Sequence, residues 1–434
     1  MMAQLPIIGG LFLPLLLLFV LSIPIAAALF LVALVGIHFF TAVPALQIAS
    51  NIVWNSTNSY TLVALPLFIF MGELLLRTRV AKRMFDGLAP WLGALPGGLL
   101  HVNVVACALF AAVSGSSVAT TATVGKITIP ELLARGYGER LVVGSLAGAG
   151  TLGFLIPPSI VLVIYGILAQ VSIGQLFIAG ILPGLLLAAG FMLYLAAVGY
   201  ARPDLAPRQE ERYSRGQRLR GLLDLAPVTV LIVAVLGTIY LGLATPTESA
   251  AIGVVGAALL GLVYRTLSLQ GFLEAVSGTV RTTSMIGLII AAAALLSTAM
   301  GYIGIPRALT QWIGSLALSP YLLIAALALL YILLGLFLDG ISMIVVTLPI
   351  TLPLITAAGF EPLWFGIFLV LMVETAQITP PVGLNLFVIQ GISGRSITFV
   401  ARAAAPFFFI LLGVTALVTA FPEIVAYLPG LMRR

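Results

Sequence analysis

The sequence predicts an all-α integral membrane protein built from two repeats, and three observations carry this prediction. Of the 434 residues, 61% are hydrophobic and 8% are charged, whereas soluble domains carry about a quarter charged residues. Apolar stretches of the roughly 20 residues that a transmembrane helix needs recur along nearly the whole chain. Proline and glycine motifs recur at a constant offset of 223 positions. We therefore expect one membrane domain.

Ten segments are predicted to cross the membrane. The run from Leu5 to Phe40 is too long for one span and is interrupted at Ser22-Ile23-Pro24, so it is divided into two helices. The other eight segments are 60–77, 139–170, 175–200, 225–243, 248–264, 283–300, 362–391 and 398–428. No Lys or Arg precedes Arg77. The N-terminal run therefore lacks the basic region of a secretory signal and is expected to be a mature membrane segment.

Two further apolar stretches, 98–134 and 321–357, are bent at polar centres and are predicted to be re-entrant hairpins. Their centres are Ser114-Gly115-Ser116-Ser117 and Asp339-Gly340-Ile341-Ser342. Cytoplasmic loops collect Lys and Arg, which tests this topology. With the N-terminus outside, all but four of the 20 basic residues fall on the cytoplasmic side. The exceptions are Lys126, Arg307, Arg433 and Arg434. Both termini are then predicted to be periplasmic.

The polar stretch 201–220 is predicted to be a cytoplasmic linker between two halves, 1–200 and 221–434. The pairs separated by 223 positions are Pro130 and Pro353, Gly136 and Gly359, and Pro157-Pro158 and Pro380-Pro381. The same offset places Ser116 opposite Asp339, so the two hairpin centres correspond. Because five crossings separate equivalent points, the second half is predicted to be inverted in the membrane. Inverted repeats are typical of secondary transporters.

Each half also contains a helix that is interrupted by two prolines, 139–170 with Pro157-Pro158 and 362–391 with Pro380-Pro381. Adjacent prolines remove two amide donors and unwind the helix locally. Unwound backbone at membrane depth is tolerated where it is buried or lines a cavity, and carbonyl and hydroxyl oxygens are ligands for hard cations. The hairpin centre and the interrupted helix of each half therefore predict an ion or substrate site. Small-residue packing between helices is the alternative.

Carboxylates within apolar segments are costly unless they are paired or bind a cation. Asp339 at a hairpin centre is therefore a candidate ion ligand, whereas Glu374 is either functional or paired with a neighbouring helix. Glu73 stands four residues before Arg77, which indicates a helical ion pair. Thr245-Pro246-Thr247-Glu248 has the pattern of a capping box with proline at the first helical position.

The remaining residues disfavour several functions. A lone cysteine, Cys107, excludes an intrachain disulfide and is predicted to be a small buried hydrophobe. His38 and His101 stand alone, without metal-ligand spacing, and each is expected to be a packed or interfacial histidine. Membrane topology accounts for the excess of basic residues, so no nucleic-acid binding is expected. The absence of a catalytic constellation disfavours an intramembrane enzyme, and a channel is a further alternative.

These motifs resemble the large membrane (M) subunit of tripartite ATP-independent periplasmic (TRAP) transporters, within the ion transporter superfamily. The resemblance covers nearly the whole chain and is specific in combination. It rests on Ser114-Gly115-Ser116-Ser117, Gly136-Tyr137, Ile156-Pro157-Pro158-Ser159, Tyr165-Gly166, Pro183-Gly184, Thr245-Pro246-Thr247-Glu248, Pro349, Pro353 and Pro380-Pro381-Val382-Gly383 with Asn385.

The resemblance implies sodium-coupled uptake of a small organic anion, such as a C4-dicarboxylate or sugar acid, in the bacterial inner membrane. It implies two protein partners, a periplasmic substrate-binding protein and a small four-helix membrane subunit. That subunit is expected to be a separate chain, since no extra helices precede Leu5. Hairpins and broken helices would form a transport domain that moves as an elevator against a scaffold. A self-contained sodium/dicarboxylate symporter of the same superfold, without a binding protein, is the alternative.

The resemblance also implies two sodium sites, with Na⁺ as the co-transported ion and no organic cofactor. The first is expected at Ser114, Gly115, Ser116, Ser117, Gly153 and Pro157. The second is expected at Asp339, Gly340, Ser342, Thr379, Pro380 and Gly383. Substrate contacts are expected from Ser117, Pro158 and Asn385. The second hairpin centre has no serine cluster like the first, so the two sites are expected to differ in ion affinity.

Overall fold

The computed structural model describes residues 5–78, 80–207, 213–315, 319–381 and 383–432, and within these ranges it is all-helical, without strands. The helices are α1 (Leu5–Val20), α2 (Ile25–Phe40), α3 (Ala45–Thr57), α4 (Ala64–Leu76), α5 (Val80–Leu92), α6 (Leu100–Ser114), α7 (Ser117–Ala134), α8 (Glu139–Thr151), α9 (Ile160–Ala169), α10 (Ile173–Ala201), α11 (Arg215–Tyr240), α12 (Pro246–Val263), α13 (Leu269–Ile303), α14 (Ile305–Ser315), α15 (Pro320–Leu334), α16 (Gly340–Ala357), α17 (Pro362–Gln377), α18 (Leu384–Ser393), α19 (Ile397–Ala420) and α20 (Glu423–Leu431). A 3₁₀ turn, Tyr60–Val63, precedes α4. Residues named above that lie outside the described ranges are Arg433, Arg434 and Val382.

Several helices are long and apolar enough to cross a membrane, which confirms a multi-span protein. Among the described residues there are six such helices, α10, α11, α12, α13, α16 and α19, and the pair α3 and α4, bent by 56°, would make a seventh span. The other predicted crossings correspond to the 16-residue helices α1 and α2 or to the interrupted pairs α8/α9 and α17/α18. The count of ten crossings stays a prediction.

Helix ends differ from the predicted segments in several places. The linker is shorter than 201–220, because α11 already begins at Arg215, where Ser214 and Gln217 form a capping box. The segment 398–428 is two helices, α19 and α20, rather than one. Helices α3, α5 and α14 were not predicted; α5 and α14 are strongly amphipathic, so their mean hydropathy is low. Hydropathy finds the apolar part of a helix, whereas caps and tertiary packing set its ends.

The offset of 223 positions extends from the motifs to whole helices. It carries α7 onto α16 with both ends matching, and it carries α8 and α9 onto α17 and α18. The amphipathic helices α5 and α14 also correspond. The contacts between helices follow the same correspondence. Helix α2 packs against α13, and its counterpart α12 packs against α4, the counterpart of part of α13. In the same way, α7 packs against α18, and its counterpart α16 packs against α9, the counterpart of α18. Inversion of the second half in the membrane stays a prediction.

The helices that lead into the two proline-bearing interruptions are largely buried. In α8 every residue from Val142 to Thr151 is buried, and in α17 every residue from Trp364 to Gln377 is buried. The stretches predicted to be re-entrant fold as the helix pairs α6/α7 and α15/α16, which are joined by short turns. The hydroxyl of Tyr331 in α15 lies 3.1 Å from the hydroxyl oxygens of Thr347 and Thr351 in α16, so the second pair folds back on itself. Four short non-helical segments thus lie between these helices.

Candidate functional site

Tip 1, residues Ser114–Ser117, is a buried turn that only glycine can make at its second position. Gly115 has φ +60°, the left-handed conformation that side chains disfavour. A Cβ at Gly115 would also lie 2.9 Å from the carbonyl oxygen of Pro158. Ser116 is the N-cap of α7, and its Oγ accepts from the amide of Ala119 at 3.4 Å. The turn is therefore fixed by glycine on one side and by a helix cap on the other.

Break 1, residues 152–159 between α8 and α9, packs directly on tip 1. It contains the cis bond Pro157-Pro158. A Cβ at Gly153 would lie 2.6 Å from the amide nitrogen of Ser117, so the two backbones touch. The amide of Ile160 donates to the carbonyl of Gly115 at 3.4 Å. The structure thus brings the residues predicted for the first sodium site, Ser114–Ser117 with Gly153 and Pro157, to one place.

Tip 2, residues Asp339–Ser342, is built around a carboxylate. Asp339 is the N-cap of α16, and its Oδ2 accepts from the amide of Ile341 at 3.2 Å. The hydroxyl of Ser342 donates to the other carboxylate oxygen. Asp339 is half-buried, whereas Gly340 and Ser342 are buried. Asp339 therefore lies at the N-terminal end of α16, with both carboxylate oxygens bonded to its first turn.

Break 2, residues 378–383 between α17 and α18, closes on itself through its backbone. The amide of Gly383 donates to the carbonyl of Thr379 at 3.0 Å, and a Cβ at Gly383 would lie 2.7 Å from the carbonyl oxygen of Gln377. The break contains the cis bond Pro380-Pro381, and both prolines are exposed. Tip 2 lies against the last turn of α17, since a Cβ at Gly340 would be 3.5 Å from Nε2 of Gln377.

The two halves of the chain contact each other where the tips and breaks lie, and the sequence did not predict these contacts. Asn385 in α18 donates from Nδ2 to Oγ of Ser117 at 2.7 Å, and Ser117 donates to the carbonyl of Gly150 at 2.9 Å. A Cβ at Gly340 would lie 3.2 Å from the ring of Phe154 in break 1. Both tips and both breaks therefore form one continuous junction.

Two buried side-chain oxygen atoms near this junction have no hydrogen-bond partner among the described residues. Oδ1 of Asn385 and Oε1 of Gln377 are buried and accept no hydrogen bond from the described residues. Buried acceptors without donors are unfavourable, and amide, hydroxyl and carbonyl oxygens are ligands for hard cations. Gln377 is not among the candidate site residues that the sequence predicted. Its signal was a polar amide inside a strongly apolar segment.

The residues predicted to contact substrate are deeply placed. Ser117 and Asn385 are fully buried and bonded to each other, and Pro158 is buried. The hydroxyl hydrogen of Ser117 is used by Gly150 and one lone pair by Asn385, which leaves one lone pair for a ligand. The structure brings these three residues close to the first sodium-site residues, and their contact with a solute stays a prediction.

Glu374, one turn before break 2, is fully buried, and neither carboxylate oxygen makes a hydrogen bond of standard geometry among the described residues. The backbone amides of Leu155 and Phe154 in break 1 face this carboxylate. The expected alternative, an ion pair with a neighbouring helix, is not among the salt bridges of the described residues. Thr151 occupies the equivalent position of the first half. The second half therefore carries a carboxylate where the first has a hydroxyl.

Other single-residue predictions are confirmed as structural features. Arg77 donates to the carboxylate of Glu73. Thr245 and Glu248 form the capping box, with Pro246 at the start of α12. Cys107 is buried and free. No group of His, Cys, Asp and Glu within the described ranges has the arrangement of a metal site.

A cavity of about 460 Å³ lies beside the second hairpin rather than at the tips. It separates α13, which contributes Ala293 and Ser297, from α16, which contributes Pro349 and Pro353. Gln170, at the C-terminal end of α9, also lines it and has a left-handed backbone with φ +56°. The cavity therefore lies between a long continuous helix and one arm of a hairpin.

Residues 12–424 match the family model described as "Tripartite ATP-independent periplasmic transporter, DctM component". The chain belongs to the DctM family. The resemblance drawn from the motifs is confirmed, and this chain is a large permease subunit of a TRAP transporter.

Curated relatives cover most of this DctM chain. It is 37% identical over 382 residues to the C4-dicarboxylate TRAP transporter large permease protein DctM of Pseudomonas aeruginosa, covering 87% of this chain and 88% of that one. It is 31% identical to the sialic acid large permease SiaM of Vibrio cholerae, covering 94% and 95%. It is 32% identical to the isethionate TRAP transporter permease protein DctMQ of Oleidesulfovibrio alaskensis, covering 98% of this chain and 66% of that longer one. All three are named as permeases, so the prediction that the chain is not an enzyme is confirmed.

Solved transporters share the fold. The YdaH transporter of Alcanivorax borkumensis superposes on the DctM chain with a TM-score of 0.66 at 16% identity, covering 95% of this chain and 99% of that one. MtrF of Neisseria gonorrhoeae gives a TM-score of 0.56 at 13% identity, covering 94% of both. At these identities the likeness concerns the fold alone.

Proposed function

We propose that this DctM-family permease imports a small organic anion, a carboxylate, across the bacterial inner membrane in symport with sodium. The observation that carries the proposal is the junction at which both tips and both breaks meet, joined by the bond between Asn385 and Ser117. Hydroxyl, carbonyl and carboxylate oxygens converge there, as sodium ligation requires. The relatives' names, for C4-dicarboxylates and sialic acid, favour a carboxylate as cargo.

The first sodium ion would bind at Ser114, Ser116 and Ser117 with carbonyls of break 1. The second would bind at Asp339 and Ser342 with the carbonyls of Thr379 and Pro380. Of the two proposed sites, only the second contains a carboxylate, that of Asp339. The second ion would therefore be held by electrostatic attraction, and the first mainly by the dipoles of hydroxyl and carbonyl groups. The substrate carboxylate would lie near Pro158, where the N-terminus of α9 offers a positive dipole end.

The proposed motion is that of an elevator. Helices α6 to α9 and α15 to α18 would move together as a transport domain, because the bonds across the junction join them. Helix α13 is a continuous helix of 35 residues and suits a fixed scaffold. The cavity between α13 and α16 lies at the boundary of these two bodies, where a solute would pass between them.

The partners proposed for this chain are a periplasmic substrate-binding protein and a small membrane subunit of four helices. The name DctMQ of the longer relative fits a fusion of two permease subunits. Proteoliposomes that contain all three proteins should take up the solute when a sodium gradient is imposed, and uptake should stop when either partner is omitted. Uptake that persists without sodium would contradict the proposal.

A self-contained symporter is the second candidate, because the structural neighbours share this fold. The same proteoliposomes distinguish it. Robust sodium-driven uptake by the isolated chain, unchanged when the binding protein is added, would establish the self-contained symporter in place of the three-component transporter.

A further inference from the structure

A groove of about 520 Å³ lies beside break 2, on one face of α19. One wall is Ile378, Thr379 and the exposed Pro380-Pro381. The other is a helical face, since the lining residues of α19 recur at intervals of three and four. These residues are Thr398, Ala401, Arg402, Ala405, Phe408 and Phe409. Small side chains at Ala401 and Ala405 leave the floor open, and aromatic rings close the far end.

One end of the groove is basic and the rest is apolar. Arg402 is exposed and lies six residues before Phe408, about 9 Å along the helix. The guanidinium of Arg140 is next to it, because its Nη2 donates to the carbonyl of Arg402 at 3.1 Å. Neither arginine forms a salt bridge with the described residues, whereas Arg395 is held by Glu139 at 2.6 Å. Arg402, which lines the groove, and Arg140, whose guanidinium is bonded to the backbone of Arg402, therefore provide two positive charges near one end of the groove.

We propose that this groove binds an anionic phospholipid. The phosphate would lie between Arg402 and Arg140, and one acyl chain would run over Ala401 and Ala405 to Phe408, against Pro380-Pro381. A soluble anion would contact the arginines and leave the apolar floor bare, whereas a neutral lipid would fill the floor and leave the arginines unpaired. An anionic lipid pairs with the arginines through its phosphate and covers the apolar floor with its acyl chain. The volume of the groove is within the range of ordinary ligand sites.

The predicted topology agrees with this occupant. Arg395 and Arg402 fall on the predicted cytoplasmic side, where anionic lipids are concentrated and basic pockets between helices bind their headgroups. The acyl chain would then cover the two exposed prolines of break 2. Lipid binding is a property of this surface and goes beyond the proposed transport function.

The test is lipid binding to the purified, delipidated full-length chain, measured by native mass spectrometry. Phosphatidylglycerol and phosphatidylcholine with identical acyl chains are compared. We expect a preference for phosphatidylglycerol, and Arg402→Gln should reduce it about fivefold, the effect of one basic residue at a membrane surface. Arg395→Gln is the matched control, because it removes an arginine that Glu139 already neutralises, and it should leave the preference unchanged.

A second variant tests the acyl-chain part of the groove. Ala405→Phe fills the floor without changing charge and should weaken the binding of both lipids. Thermal unfolding of each variant shows that it is folded. Equal loss of preference in Arg402→Gln and Arg395→Gln would overturn the proposal in favour of diffuse surface charge. Displacement of the lipid by an equal concentration of inorganic phosphate, or unchanged binding in Ala405→Phe, would also overturn it. Because the readout is binding, it is independent of whether the chain transports by the mechanism proposed above.

Discussion

Nδ2 of Asn385 lies 2.7 Å from Oγ of Ser117, and this hydrogen bond joins positions that are 268 residues apart. It ties the tip of the first hairpin to the helix that follows the second break. The hydroxyl of Ser117 in turn donates a hydrogen bond to the carbonyl of Gly150, at the end of α8. One hydroxyl group therefore connects tip 1, the end of α8 and the second half of the chain.

Removing either partner of this bond should destabilise the protein, and the two losses of stability should not add up in the double variant. Asn385→Leu and Ser117→Ala each remove one partner, so the double variant should lose less than the sum of the two, with a coupling of about 0.6 kcal/mol, as for buried bonds in membrane proteins. Thermal unfolding in detergent measures the four proteins of the cycle. Strict additivity would show that the bond does not form.

Asn103 provides a matched control for that cycle. It is equally buried and donates to Ser145 at 2.9 Å within the first half. Asn103→Leu should lower thermal stability by a similar amount and leave the sodium dependence of uptake unchanged, because it touches neither tip. Asn385→Leu should alter both.

Gly153→Ala should abolish or strongly reduce uptake in a folded protein. The added Cβ would lie 2.6 Å from the amide nitrogen of Ser117, so tip 1 and break 1 must separate. Gly237→Ala is the control, since nothing lies within 4 Å of its Cβ position on α11, and alanine is favoured there by about 1 kcal/mol over glycine. Uptake at wild-type rates in Gly153→Ala would contradict the close contact of tip and break.

Asp339→Asn and Ser116→Ala should each raise the sodium concentration needed for half-maximal uptake. A lost ligand worth about 1.4 kcal/mol shifts that concentration roughly tenfold for one ion. The binding protein's affinity for the solute, measured separately, should not change, because that step takes place on another polypeptide. Glu248→Gln is the control, since its carboxylate caps α12 and should affect stability alone. Wild-type sodium dependence in both tip variants would make the tips packing elements.

Reporter fusions at Gly216 and at Arg434 should report opposite sides of the membrane. The distribution of Lys and Arg places the region between α10 and α11 in the cytoplasm and the C-terminus in the periplasm. Alkaline phosphatase is active outside and a fluorescent protein inside, so each fusion is made with both. The same side for both positions would refute the inverted-repeat topology.

Two helix ends lie where the sequence predicts that a segment ends. Hairpin 98–134 ends where α7 ends, and hairpin 321–357 ends where α16 ends. Glycine and proline act through their own backbone, so turns and breaks are encoded locally. The amphipathic helices α5 and α14 were not predicted, because their apolar residues recur at helical spacing among polar ones and do not raise the mean hydropathy of the segment.

By itself, the sequence determined a helical membrane protein, because hydropathy is a sum over neighbouring residues. It also predicted two repeats with polar turns at corresponding places, from charge bias and from proline position, which is a local property. Only the tertiary structure decided that tip 1 is bonded to Asn385 of the other half and that Phe154 of break 1 contacts tip 2. It also decided that Arg395 pairs with Glu139, whereas Arg402 forms no salt bridge within the described part of the chain. These contacts depend on how distant helices pack against one another. Side-chain packing of that kind is set by the shapes of all the neighbours at once, and no local pattern in the chain encodes it.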